Sequence, residues 1–139
     1  MRDPIVEMFR RVVAADALPV MTWTLDGVLT AVNDPLLELL GYSREEFETG
    51  QVDGDGFTPP EYWLLDERSI DQILRFRRCA PYVKEFFRKD GSRVPVYVFS
   101  AWEPLYPGTG STIAVELAEA HTDQPRAPFY EYFQLGAES

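Results

Sequence analysis

The segment Phe86-Phe87-Arg88-Lys89-Asp90-Gly91-Ser92-Arg93-Val94-Pro95-Val96 constrains the fold more than any other part of this 139-residue chain. An Asp-Gly turn joins two runs rich in aromatic and β-branched residues, which is the pattern of a β-hairpin. A second such signal lies at Asp26-Gly27. The run before it, Pro19 to Leu25, alternates with Met21, Trp23 and Leu25 on one face, and Val28 to Val32 comes after it. Strand patterning returns from Tyr82 to Lys89, at Val94, Val96 and Val98, and at Ile113, Val115 and Leu117, which share one face of a last strand after the Pro107-to-Gly110 turn.

Helical signals stand before and between the hairpins. Asp3-Pro4 caps a segment whose Ile5, Met8, Phe9, Val12 and Val13 form one apolar stripe. Asn33-Asp34-Pro35 caps a short helix through Leu36, Leu37, Leu39 and Leu40 that stops at Gly41, and Ser43 with Glu46 forms a capping box for the next. Thr58-Pro59-Pro60-Glu61 predicts a third inserted helix, capped by Thr58 and running to about Phe76, with Leu65, Ile70, Ile73 and Leu74 as its buried stripe. The expected class is α+β, a five-stranded antiparallel sheet with helices inserted between strands 2 and 3 and an amphipathic helix in front.

Composition narrows the function classes. With 45% hydrophobic and 14% aromatic residues, the chain has the material for a core of its own. A net charge of −10 and the lack of a continuous basic stripe argue against nucleic acid and against an anionic membrane surface. No apolar stretch approaches the roughly 18 residues of a membrane span, and the start lacks a signal-peptide pattern, so a cytoplasmic location is expected. Cys79 is the only cysteine and His121 the only histidine. No internal disulfide, multi-thiolate metal site or nucleophilic triad can be assembled from them.

Taken in order, Asn33, the Gly41-Tyr42-Ser43 run, Thr58-Pro59-Pro60-Glu61-Tyr62 and the hairpin around Asp90 and Gly91 resemble the PAS family of sensory domains, above all those of bacterial sensor histidine kinases. The resemblance covers roughly residues 18–120. It leaves 1–17 as the leading amphipathic helix and 121–139 as a proline-broken linker with the aromatic patch Phe129 to Phe133. It implies a non-catalytic signal-transduction domain that binds a small ligand in an apolar pocket and passes a conformational change to a kinase or another signalling partner. The alternative is a protein–protein interaction module with a self-filled core. It further implies a pocket drawn from Trp23, Leu40, Phe47, Ile73, Leu74, Val96, Val98, Ser100, Trp102, Ile113 and Val115, a structural signature of Asn33, Gly41, Tyr42, Asp90 and Gly91, and a homodimer formed through Ile5, Met8, Phe9 and Val12.

The chain departs from the family at Glu116-Leu117-Ala118, where signalling members often carry Asp-Ile-Thr or Asp-Leu-Thr. Alanine cannot cap an output helix, and Pro125 and Pro128 interrupt the segment beyond it, so a sensor acting on a partner in trans is expected. The flavin-photosensing branch carries Asn-Cys-Arg in its middle helical region. No cysteine lies between Ser43 and Phe76, so no thiol–flavin chemistry is expected; haem and non-covalent flavin remain as alternatives to no cofactor. Cys79 comes after the basic Arg75, Arg77 and Arg78 and is read as a structural thiol rather than a reactive one. No metal site is expected: Asp53-Gly54-Asp55-Gly56 resembles the start of a calcium loop but places Leu64 where the bidentate Glu should stand. Lys84, Glu85, Arg88 and Lys89 are read as a solvated strand face and hairpin tip.

Overall fold

The structure is a computed structural model that describes residues 3–52, 56–102 and 108–118. Its elements run α1 (Pro4–Ala14), β1 (Val20–Thr24), β2 (Leu29–Val32), α2 (Asp34–Leu40), α3 (Arg44–Glu48), a 3-10 turn (Pro60–Tyr62), α4 (Trp63–Phe76), β3 (Tyr82–Phe87), β4 (Arg93–Trp102) and β5 (Thr109–Glu116). The five strands form one antiparallel sheet in the order β2-β1-β5-β4-β3, with α2 to α4 inserted between β2 and β3 as expected. Among the described residues no helix is long and apolar enough to cross a membrane. His121, the linker and the aromatic patch lie outside the described residues, as do Asp53 to Asp55.

Local chemistry explains how the chain leaves the sheet. The Asn33 side-chain oxygen accepts from Leu36 N at 3.3 Å, capping α2, and from Val20 N at 2.9 Å, while its amide donates to Leu18 O at 2.7 Å. One side chain thus ties β1, β2 and the start of α2 together. Gly41 ends α2 at φ +82°, a left-handed conformation that strains other residues, and its N–H bonds Leu37 O at 2.8 Å. Ser43 and Glu46 form the expected reciprocal capping box of α3. At the hairpin, Gly91 takes φ +86°, and Asp90 accepts from Ser92 N at 2.9 Å. The Ser92 hydroxyl, donating at 2.6 Å, and this backbone N–H hold the exposed Asp90 carboxyl below its usual range.

The core lies between the inner sheet face and the inserted helices, where Leu36, Leu40, Ile73, Phe86, Val94, Val96 and Val98 are almost completely buried. Backbone bonds also reach across to β3, an edge strand: Phe87 N donates to Phe57 O and Lys89 N to Leu40 O, each at 2.8 Å.

Three expectations are corrected. Thr58 does not cap a helix; a 3-10 turn intervenes, α4 starts at Trp63 without a side-chain cap, and the Thr58 hydroxyl accepts from Lys84 instead. Leu74 is 50% exposed, because the inner stripe of α4 passes through Ser69 and Ile73. Lys84 faces inward: β3 pairs Tyr82 with Val98, Lys84 with Val96 and Phe86 with Val94, which places all three on the core face.

The stripe of α1 is not covered. Ile5 is 77% exposed and Met8 67%, Phe9 and Val6 are also exposed, and no residue of the helix is buried.

Candidate functional site

Strand register decides which side chains meet inside. Val98 pairs with Ala114, Ser100 with Thr112 and Trp102 with Gly110, while β1 places Met21 opposite Thr112 and Trp23 opposite Gly110. The inner face of β5 is therefore Gly110, Thr112 and Ala114. Ile113 pairs with Phe99 and Val115 with Tyr97 on the opposite face, which corrects their expected place in the pocket.

Between this inner face, α4 and the Phe57–Thr58 segment lies a cavity of about 300 Å³. Met21, Trp23, Leu29, Phe57, Ile70, Phe86 and Val98 supply its apolar wall, and the Asp26–Gly27 turn contributes to its rim. Of the expected pocket residues, Trp23, Val98 and Ser100 line it. Leu40, Ile73 and Val96 are packed core beside it, Phe47 and Trp102 pack against that core, Leu74 points outward, and Val115 lines a separate cleft with Leu18 and Leu39.

Two polar groups break the apolar lining. At one, Trp23 Nε1 donates to Thr112 Oγ1 at 2.8 Å, and Thr112 shares a 2.6 Å hydrogen bond with Ser100. The indole lies close against Gly110, where an added Cβ would fall 2.4 Å from a ring carbon. The close approach of the ring, not a special backbone conformation, makes glycine necessary there. Behind this group sits Cys79, whose thiol burial pushes up to about 11. Its burial makes it a poor nucleophile, and it does not line the cavity, so no thiol stands ready for a cofactor there.

The second polar group is built on β3 and α4. Lys84 Nζ donates to Asp66 Oδ1 and Oδ2 at 2.8 and 2.9 Å and to Thr58 Oγ1 at 3.0 Å. Tyr82 donates its hydroxyl hydrogen to Asp66 Oδ1 at 2.6 Å, and Ser69 donates to Asp66 O at 2.8 Å. Burial pushes the Lys84 ammonium down from its ordinary value, and the Asp66 carboxylate partly opposes that shift. Burial and the same carboxylate drive the Tyr82 phenol well upward. No buried side-chain nitrogen or oxygen among the described residues lacks a partner. The signal for this group in the sequence is parity: Lys84 shares its strand face with Tyr82 and Phe86 at i−2 and i+2.

No group of three or more His, Cys, Asp or Glu side chains among the described residues is placed to hold a metal ion. The arrangement offers a half-apolar chamber with a charged, hydrogen-bonded end, suited to holding and orienting a small molecule.

A family model described as PAS domain matches residues 7–80. The hybrid signal transduction protein dokA of Dictyostelium discoideum is 38% identical over 84 residues, which make up 60% of this chain and 5% of that protein. A domain of a sensory box sensor histidine kinase/response regulator from Geobacter sulfurreducens superposes with a TM-score of 0.60 at 16% identity, covering 78% of this chain and 91% of that one. A light-oxygen-voltage domain whose mechanism was probed with a flavin analogue superposes with a TM-score of 0.61 at 17% identity, covering 95% of this chain and 94% of that one. Identities this low carry the fold and nothing finer.

Proposed function

The chain belongs to the PAS domain family, and from that premise we propose that it is a non-catalytic sensory module whose cavity takes up a small molecule and so changes how the module engages a signalling partner. One observation carries this reading. A chamber of about 300 Å³, at the lower end of the usual ligand-site range, opens between the sheet and α4 beside the packed apolar core. A ligand that fits it better in one arrangement of sheet and helices than in another shifts the population toward that arrangement.

Three further readings belong to the proposal. The partner is a kinase or another signalling protein in the cytoplasm, in keeping with the acidic composition and with the signalling relative it resembles. The module is a homodimer that pairs the exposed Ile5, Met8 and Phe9 and the half-buried Val12 with the same stripe of a second copy. The chamber is read as cofactor-free, with haem or non-covalent flavin as the alternatives; a flavin held through a cysteine adduct does not fit a lining without cysteine.

Absorbance and mass spectrometry of freshly purified protein, native and then denatured, test the reading. A small molecule carried natively and released on unfolding supports it, and a visible band replaces the cofactor-free form with a pigmented one. Protein without any adduct, and with no change on exposure to small organic ligands, leaves the interaction module with a self-filled core. Sedimentation over a concentration series tests the dimer, which Phe9→Asp should dissociate.

A further inference from the structure

Three hydrogen bonds converge on one carboxylate at the charged end of the cavity. Two come from Lys84 Nζ and one from the Tyr82 hydroxyl, and both residues stand on the inner face of β3 with 6% and 8% exposure. The carboxylate is Asp66, which belongs to α4 rather than to the sheet, and its side chain is 28% exposed against 8% for that of Lys84. Of the two ions, only the carboxylate has a short route to water. Beside it the lining is apolar and aromatic, with Trp23, Phe57, Ile70 and Phe86. We propose that Lys84 and Tyr82 form a carboxylate-binding cradle, that Asp66 fills it as an internal stand-in, and that the ligand of this chamber is a small organic acid with an aromatic or branched body whose carboxylate displaces Asp66.

The exchange keeps the buried site neutral, because one carboxylate replaces another on the same ammonium. An amine ligand would have to expel Lys84 Nζ from a strand interior, and a neutral one would leave the ammonium without a counter-charge once Asp66 departs. Displacement also cuts the ion pair that ties α4 to β3, so acid binding and helix release are one event. This inference rests on the chamber being a ligand site and adds both the chemistry of the ligand and the element that responds.

The test titrates the full chain with phenylacetate and with its neutral isostere phenylacetamide, following tryptophan fluorescence and Tm, in the wild type, Asp66→Ala and Lys84→Met. In Asp66→Ala the cradle is free, so phenylacetate should bind at least tenfold more tightly than in the wild type, exceed the amide by a similar factor, and raise a lowered Tm as its concentration rises. Lys84→Met should abolish the preference for the acid. Where Asp66→Ala does not fold, Asp66→Asn supports the same comparison. Equal binding of acid and amide, or a preference that survives Lys84→Met, overturns the cradle and leaves the chamber standing. Failure of both compounds to bind any variant overturns the chamber as well.

Discussion

The two halves of the inner sheet face hold different interiors. Under α2, the buried leucines 36, 37, 39 and 40 share one apolar cluster with Val94, Val96 and Phe86. Toward β1 and α4 the same face carries Thr112, Ser100, Tyr82 and Lys84 around a cavity. The closed half gains its stability from packing density, and the hollow half keeps polar groups inside by giving each a partner. The contrast separates what holds the fold from what the fold holds.

The sharpest break of that contrast is Leu40→Ala, which removes a fully buried side chain and should cost about 3 kcal/mol in denaturant unfolding, whereas Ile70→Ala on the cavity wall should cost about 1 kcal/mol because its neighbours already face open space. Comparable losses at the two sites would erase the distinction. Nearly as large is Asp66→Leu, which leaves Lys84 buried without its counter-ion and should lose about 3 kcal/mol; adding Lys84→Met should recover most of it, since a pair replaced whole by apolar residues is often neutral.

Alkaline unfolding sharpens the comparison from another side. The Cys79 thiol, raised from 9.0 to about 11, contributes stability that is complete below pH 9 and lost between pH 9 and about 11, as the unfolded chain ionises first. Two units correspond to about 3 kcal/mol, so wild-type stability minus that of Cys79→Ala should fall by roughly this amount across the window. The depressed Lys84 acts in the opposite sense, with a penalty that lifts as pH rises toward 10.5, and its contribution cancels in the difference. A smaller loss than at Leu40 or Asp66 is expected at Gly110→Ala, where the methyl must push the Trp23 indole aside at about 2 kcal/mol, with a shift in tryptophan emission as the Thr112 bond breaks. An unchanged spectrum would mean that the indole is not clamped.

These halves are unequally legible in the sequence. The closed half announces itself through Asn33, the leucine run, Gly41 and the Asp90-Gly91 turn, each a local signal with a local cause. The hollow half depends on non-local register. Which face of β5 points inward is set by its pairing with β1 and β4; the pattern groups Ile113 and Val115 on one face, and the family resemblance then assigns that face to the pocket and passes over Gly110 and Thr112. Lys84 reads as solvated because charge suggests water, although its i±2 neighbours are Tyr82 and Phe86. Thr58 loses its cap role because a buried ammonium competes for the same hydroxyl.

The carbonyls of Leu40 and Phe57 that accept from Lys89 and Phe87 also bear on how the domain behaves when partly unfolded. They occupy donors at the end of an edge strand, where a foreign strand would otherwise add. Peeling the inserted helices away therefore uncovers a template for intermolecular β-pairing. Conditions that loosen those helices before the sheet should favour association of like chains, and the helical insert acts as a guard against aggregation as well as a wall of the chamber.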